Sequence, residues 1–269
     1  MKIYIPTLGR VNNQITYENL PTFLKEITSF VIQPKEVELF KEKYPNVSIK
    51  VLPEDDYGIC NTRMWILNNA GDEFYWMVDD DMKFIKRHCD RRTGKKNAEK
   101  SNTPFVETDW VDMINWVKAK WEDGNTIVGN RRKGLPPAPK AEIPFSKLVQ
   151  SFFINGSKLN ANNIVLDIPF VEDVQFMFQV LEMGGKITVS DEYLFDCDNY
   201  GSEGGCTLDG RTGQINLDNM IKLAERYPKY ITMKDEIIKL NDDLLYQKHT
   251  IYWRKAYNPF YGRVNINFW

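Results

Sequence analysis

The stretch "EFYWMVDDDM" (residues 73–82) sets an apolar, aromatic run directly against three consecutive aspartates. Adjacent carboxylates repel one another, so a chain that keeps them at the end of a buried strand is expected to hold a cation or a ligand there. The segments upstream show what kind of strand this is. "KIYIP" (2–6), "SFVIQ" (29–33) and "VSIKVL" (47–52) read as strands. Between them, "YENLPTFLKEI" (17–27), "EVELFKEKY" (36–44) and residues 59–70 carry helical spacing. Strand–helix alternation with short connections predicts a parallel sheet covered on both faces. Ligands of such sheets bind beyond the carboxyl ends of the strands. "TLGR" (7–10), "EDDYG" (54–58) and "DDD" (79–81) each follow a strand, so all three are expected along one edge.

Downstream the alternation fades. Residues 86–104 read as a polar, basic loop, and "VETDWVDMINWVKAKW" (106–121) as an amphipathic helix whose Trp110, Trp116 and Trp121 suit core packing. Strands are expected at 126–130, 151–156 and 186–190, a Pro-rich connection at 134–144 and a helix at 172–183. "NYGSEGGCTLDGRTG" (199–213) has five glycines in fifteen residues and is expected to be a mobile loop. Helices near 215–226 and 233–246 and an aromatic tail to Trp269 follow.

Composition narrows the chemistry. The chain has 269 residues, 42% hydrophobic and 13% aromatic, enough for a packed core without disulfides or zinc. No apolar run approaches the roughly 20 residues that span a bilayer, and Pro6 interrupts the N-terminus too early for a signal-peptide core. Cys60, Cys89, Cys197 and Cys206 lack paired metal spacing and read as reduced thiols of a cytoplasmic protein. With only His88 and His249 present, acid–base work falls to carboxylates. A net charge of −2 leaves any attraction to nucleic acid to local patches.

A carboxylate triplet after a strand suits Mg²⁺ or Mn²⁺, hard cations that keep open positions for phosphate oxygens. In extended backbone, Asp79 and Asp81 would face one ligand while Asp80 points elsewhere; the alternative is a solvated acidic turn. Arg63 falls within the apolar stripe Ile59, Ile66, Leu67, Ala70 of its helix, so it needs an anion, a base edge or a route to water. Acidic residues at the start of the helix in "IPFVEDVQFMFQVLEMGG" (168–185) favour the helix dipole whatever else they do.

"IPTLGR", "GICNTRMWILNNAGDEF" and "YWMVDDDM" together resemble the nucleotide-sugar half of GT-A glycosyltransferases, most clearly over residues 2–82 and more loosely over 126–200. The resemblance implies an α/β, GT-A-like Rossmann-type sheet, parallel in its N-terminal half and mixed in its C-terminal half, flanked by helices. It implies one domain over 1–269. Residues 1–82 would bind the nucleotide sugar, 83–213 would form the acceptor half and a lid loop, and 214–269 a helical, aromatic extension. It further implies Thr7, Gly9, Arg10 and Arg63 at the nucleotide. Asp79 would lie near the ribose, Asp80 between, and Asp81 with Asp79 on a Mn²⁺ or Mg²⁺ ion. A ligand that the family usually takes late in the chain, often a histidine, would here be Asp198 or Asp196, or water. The Glu172–Asp173 pair is implied beside the acceptor, with Asp173 as the base that removes the acceptor proton and Glu172 as its neighbour or substitute; in a retaining enzyme the pair would instead orient acceptor or donor.

Two basic runs bear on the acceptor. "KRHCDRRTGKK" (86–96) and "RRK" (131–133) place Lys86, Arg87, Arg91, Arg92, Arg131 and Arg132 as candidate phosphate contacts; solvated loops are the bland alternative. With the compact length, this insertion is similar to the TET-associated glycosyltransferases, a largely bacteriophage group. That implies a UDP-sugar donor and a hydroxymethylated pyrimidine, 5-hydroxymethylcytosine or a relative, in DNA as acceptor, inside the host cytoplasm. A saccharide or protein acceptor is the alternative within the fold. A nucleotidyltransferase is disfavoured by the single glycine of "TLGR", and a non-catalytic binding module would use the aspartates as a structural site.

Overall fold

A computed structural model of the chain describes residues 1–90, 95–96, 102–144, 148–197, 204–208, 210–241 and 244–252. The strands are β1 (Lys2–Pro6), β2 (Thr28–Ile32), β3 (Ser48–Val51), β4 (Phe74–Val78), β5 (Met82–Lys86), β6 (Cys89–Asp90), β7 (Lys95–Lys96), β8 (Thr103–Pro104), β9 (Ile127–Arg132), β10 (Glu142–Pro144), β11 (Ser151–Asn155), β12 (Ile187–Cys197), β13 (Ile231–Asn241) and β14 (Leu244–Ile251). The α-helices are α1 (Ile15–Asn19), α2 (Thr22–Lys25), α3 (Val37–Lys43), α4 (Gly58–Asn69), α5 (Glu107–Glu122), α6 (Glu172–Glu182) and α7 (Gly213–Arg226).

One sheet organises the molecule, in the order β3-β2-β1-β4-β11-β9-β12-β5-β8, with β10 on β12. The first four strands pair in parallel. β11 then runs antiparallel to both β4 and β9, while β9 and β12 are parallel. The sheet is therefore parallel in its first half and mixed in its second. Alternation along each strand splits the core in two. Tyr4, Tyr75, Met77, Phe152 and Ile154 join α4 and α6 on one face. Ile3, Ile5, Trp76, Val78 and Phe153 join α5 on the other, with Trp76 stacked on Phe153 at 4.4 Å. Trp110 and Trp121 lie in that second layer, as their spacing implied.

β2 and β4 flank β1, so the order of strands reverses between β1 and β4. Crevices open at such switch points beyond the carboxyl ends of the strands. The loops after β1 and β4, Thr7–Arg10 and Asp79–Asp81, meet there.

The structure corrects the expected elements in four places. The helix over 17–27 is two short helices, because Pro21 has no N–H to donate and leaves Leu20 extended. The loop expected from residue 86 is preceded by β5, which starts directly after Asp81 and pairs antiparallel with β12. "MKFIK" conceals this strand by turning Lys83 outward while Met82 and Phe84 are buried. The strand at 186–190 continues to Cys197 through an irregularity between Ser190 and Leu194. The helix expected near 215–226 is present as α7, while the one expected at 233–246 is replaced by the β13–β14 hairpin. β-Branched Ile231, Thr232, Ile237, Ile238, Thr250 and Ile251 favour extended backbone there over the helical spacing.

β8 returns to β5 with Thr103 opposite Lys86, so the basic insertion leaves and re-enters the sheet at one point. Most of that insertion, much of the glycine-rich stretch and the aromatic tail lie outside the described residues. Among the described residues, no helix is long and apolar enough to cross a membrane.

Candidate active site

The aspartate triplet is fastened from several sides. Thr16 accepts from Met82 N–H (2.9 Å) through its hydroxyl, which donates to the Asp79 carbonyl (2.5 Å); its own N–H reaches the Asp80 carbonyl (2.9 Å). Asp79 N–H donates to the carbonyl of Gln150 (2.9 Å), a non-glycine residue held at φ +65°. The side chains then diverge. Asp80 is buried, taking Thr7 Oγ1–H at 2.5 Å and Arg10 Nη1 at 2.5 Å. Arg10 Nη1 also reaches Asp81 Oδ2 at 3.0 Å, and Asp79 Oδ1 accepts from Arg63 Nη2 at 3.1 Å. Two arginines thus distribute themselves over three carboxylates, and the triplet is no solvated turn. The division differs from the one expected of extended backbone: residues 80–81 form a turn, Asp80 and Asp81 both face Arg10, and Asp79 faces Arg63.

Burial still outweighs these partners for two of the acids. It pushes Asp79 up to about 6 against Arg63, with Asp81 and Asp173 adding to the rise. It pushes Asp80 up to about 7 against Arg10 and Thr7. Removing Asp80 would strand Thr7 and loosen Arg10, although Arg10 keeps Asp81. We expect Asp80→Ala to cost about 3 kcal/mol of stability, the lower end for breaking a buried pair, read from urea unfolding. A change below ~0.5 kcal/mol would mean that the triplet is not held by this network.

The loop after β1 needs Gly9. Its φ is +68°, and a Cβ there would lie 2.3 Å from Leu208 Cδ1. Gly9 N–H donates to Glu36 Oε1 (2.7 Å), and Gln14 Nε2 donates to Thr7 Oγ1 (2.7 Å) and the Arg10 carbonyl (3.0 Å). Gly204 and Gly205, both at positive φ, lie against Arg10, and Gly205 N–H bonds the Leu8 carbonyl at 2.8 Å. A late segment therefore rests on the first loop.

Arg63 is 4% exposed and joins two parts of the chain. Nη2 holds Asp79, Nη1 lies 3.2 Å from Glu172 Oε1, and the guanidinium carbon sits 5.4 Å from the Phe152 ring centre. Burial works against its charge, but Asp79, then Glu172 and Asp173, outweigh it and raise its pKa. Glu172 is buried at the start of α6, pushed up to about 7 by that burial, and its Oε2 has no hydrogen-bond partner. Asp173 is part-exposed and accepts from Val174 N–H at 2.7 Å. Ahead of the pair, Phe170 is held at φ +66°, a costly conformation for a bulky residue. Arg211 stacks over its ring at 5.4 Å, and Asn219 Nδ2 bonds the Pro169 carbonyl at 2.9 Å. Burial lowers Arg211 to about 10, although Glu172, Asp173 and Asp79 pull the other way.

The expected acceptor contacts separate. Lys86 pairs with Asp109 at 2.8 Å. Arg87, 3% exposed, is bound to Asp191 (2.6 Å) and to the carbonyls of Lys133 and Leu135. Arg131 shares Asp191 at 2.6 Å and bonds the Pro136 carbonyl. These three brace β5 and β9 and their loops. Their charges are taken up by Asp109 and Asp191. Arg132 is exposed at the end of β9. Arg91, Arg92 and Asp198 lie outside the described residues, and Asp196 pairs with Lys133 at 2.9 Å.

Sequence reasoning passed over Gln14, Thr16, Glu36, Gln150, Phe170 and Arg211. Glu36 was accessible to the rule used for Thr7 and Asp79, since it follows β2 at the same edge. Arg211 was visible as the one cation of the glycine-rich stretch. Gln150 and Phe170 act through backbone conformation, which their residue types do not announce.

Comparison with known proteins adds two findings. A profile of the TET-Associated Glycosyltransferase family matches residues 1–205. The crystal structure of S. aureus TarS residues 1–349 superposes with a TM-score of 0.50 at 14% identity, over 84% of this chain and 72% of that one. The same fragment of TarS in complex with UDP-GlcNAc gives 0.52 at 16% identity, over 84% and 66%. At such identity the likeness is one of fold.

Proposed function

Given that the chain belongs to the TET-associated glycosyltransferase family, and so is a glycosyltransferase with a GT-A-like fold, we propose that it moves a sugar from a UDP-sugar to the hydroxymethyl group of a modified pyrimidine in DNA, aided by Mn²⁺ or Mg²⁺. The observation that carries the reading is the meeting of Asp79–Asp81 with Glu172–Asp173 through Arg63 at the switch point of the sheet. Donor-side carboxylates and a candidate base then share one crevice. The TarS complex with UDP-GlcNAc supports the donor class.

Among the described residues, no group of three or more His, Cys, Asp or Glu side chains could by itself hold a metal ion. Asp81 nevertheless keeps Oδ1 buried without a hydrogen-bond partner, and two neighbouring carboxylates with a diphosphate suit a hard cation. Asp81 and Asp79 would hold it, and when bound it would offset charge on the diphosphate leaving group. Thr7, Gly9, Arg10 and Asp80 would shape the nucleotide loop beside it. In an inverting displacement, Asp173 takes the proton from the acceptor hydroxyl as that oxygen bonds the anomeric carbon. The bond from that carbon to the diphosphate oxygen breaks, and its electron pair leaves with UDP. Glu172, held by Arg63, keeps the start of α6 in place.

The inward turn of Lys86, Arg87 and Arg131 favours a second reading, a saccharide acceptor at the same site. Incubation with Mn²⁺ or Mg²⁺, a panel of UDP-sugars and hydroxymethylcytosine DNA, followed by nucleoside mass spectrometry, separates the two. We expect a hexose or pentose increment on the base. Donor consumed only in the presence of a saccharide, with the DNA unmodified, would select the second reading.

A further inference from the structure

Arg63 has a property that nucleotide contact does not explain. At 4% exposure it is sealed beneath the crevice, and it is shared by two carboxylates that belong to different halves of the site. Asp79 directly follows β4 on the donor side at 3.1 Å, and Glu172 begins α6 on the acceptor side at 3.2 Å. Neither end of this bridge is saturated. Arg63 Nε and Nη1 and Glu172 Oε2 are buried without hydrogen-bond partners. The guanidinium carbon lies over the Phe152 ring, 5.4 Å from its centre.

We propose that Arg63 is a positioning residue that couples the donor site to the Glu172–Asp173 pair, through competition between Asp79 and Glu172 for one guanidinium. A ligand that draws on Asp79 releases part of Arg63 to Glu172, which tightens the start of α6 and orients Asp173. Without such a ligand the guanidinium is divided and the acceptor side is looser. The inference rests on the donor reading above, with Asp79 at the nucleotide sugar. Coupling of this kind is reciprocal, so a change at Glu172 must be felt by a ligand at Asp79.

The test is a binding cycle with UDP and Mn²⁺ by calorimetry, without acceptor. Glu172→Gln frees Arg63 to close on Asp79, and should weaken UDP binding about threefold or more. Simple electrostatics gives the opposite sign, because removing a carboxylate near a diphosphate strengthens binding. In an Arg63→Met background, Glu172→Gln should leave UDP affinity unchanged or raise it. Arg63→Lys keeps the charge but not the two-nitrogen fork, and carries the same expectation should Arg63→Met fail to fold. Unchanged or tighter binding by Glu172→Gln alone overturns the coupling, as does equal weakening in both backgrounds. A wild-type protein that does not bind UDP would remove the donor reading and this inference together, whereas the other adverse results remove the inference alone.

Discussion

Asp81→Ala should lower metal-dependent sugar transfer by about a thousandfold, equivalent to roughly 4 kcal/mol of barrier. Asp81 is the member of the triplet whose buried Oδ1 is left without a partner, whereas Asp80 is committed to Thr7 and Arg10. Its removal leaves Arg10 paired to Asp80, so the fold should survive and the loss should fall on chemistry. Initial rates across a Mn²⁺ titration, beside circular dichroism of the variant, check both halves. A variant that keeps wild-type turnover would end the assignment of the cation to Asp81.

Asp173→Asn should have an effect of similar size through a different step. The amide preserves shape and can still accept from Val174 N–H, but it cannot take the acceptor proton. Loss of a general base costs about 10²–10⁴ in rate. UDP affinity should stay within about twofold, because no donor-side residue loses a bond. Calorimetry with UDP and single-turnover transfer separate the two quantities. If UDP binding collapses with the rate, Asp173 belongs to the donor pocket.

Much of the donor half was legible because it follows strong local rules. β1 to β4 are short apolar runs between helices, and ligand-bearing loops at their carboxyl ends follow from parallel pairing. Thr7, Arg10 and Asp80 could be placed together before their bonds were seen. The acceptor half was less legible, since its antiparallel strands are set by long-range pairing. β5 looks half charged in sequence, and only β12 beside it shows why Lys83 faces out and Phe84 in. The partners of the basic runs were hidden for a related reason. Residue type announces a cation, while the buried Asp191 that claims Arg87 and Arg131 lies 104 and 60 positions away. Arg63 was visible as an oddity on an apolar stripe, but its two carboxylate partners were not.

Lys86 and Thr103 stand side by side, so the sixteen positions between them make a closed excursion from the sheet rather than a link within it. Loop-closure entropy rises slowly with length, by about 0.6 kcal/mol for each doubling. Beyond Arg87, which is buried on Asp191, changes of length there would therefore cost folding little. On the reading proposed above, acceptor preference could then change through this insertion without disturbing the loops that meet at the switch point of the sheet.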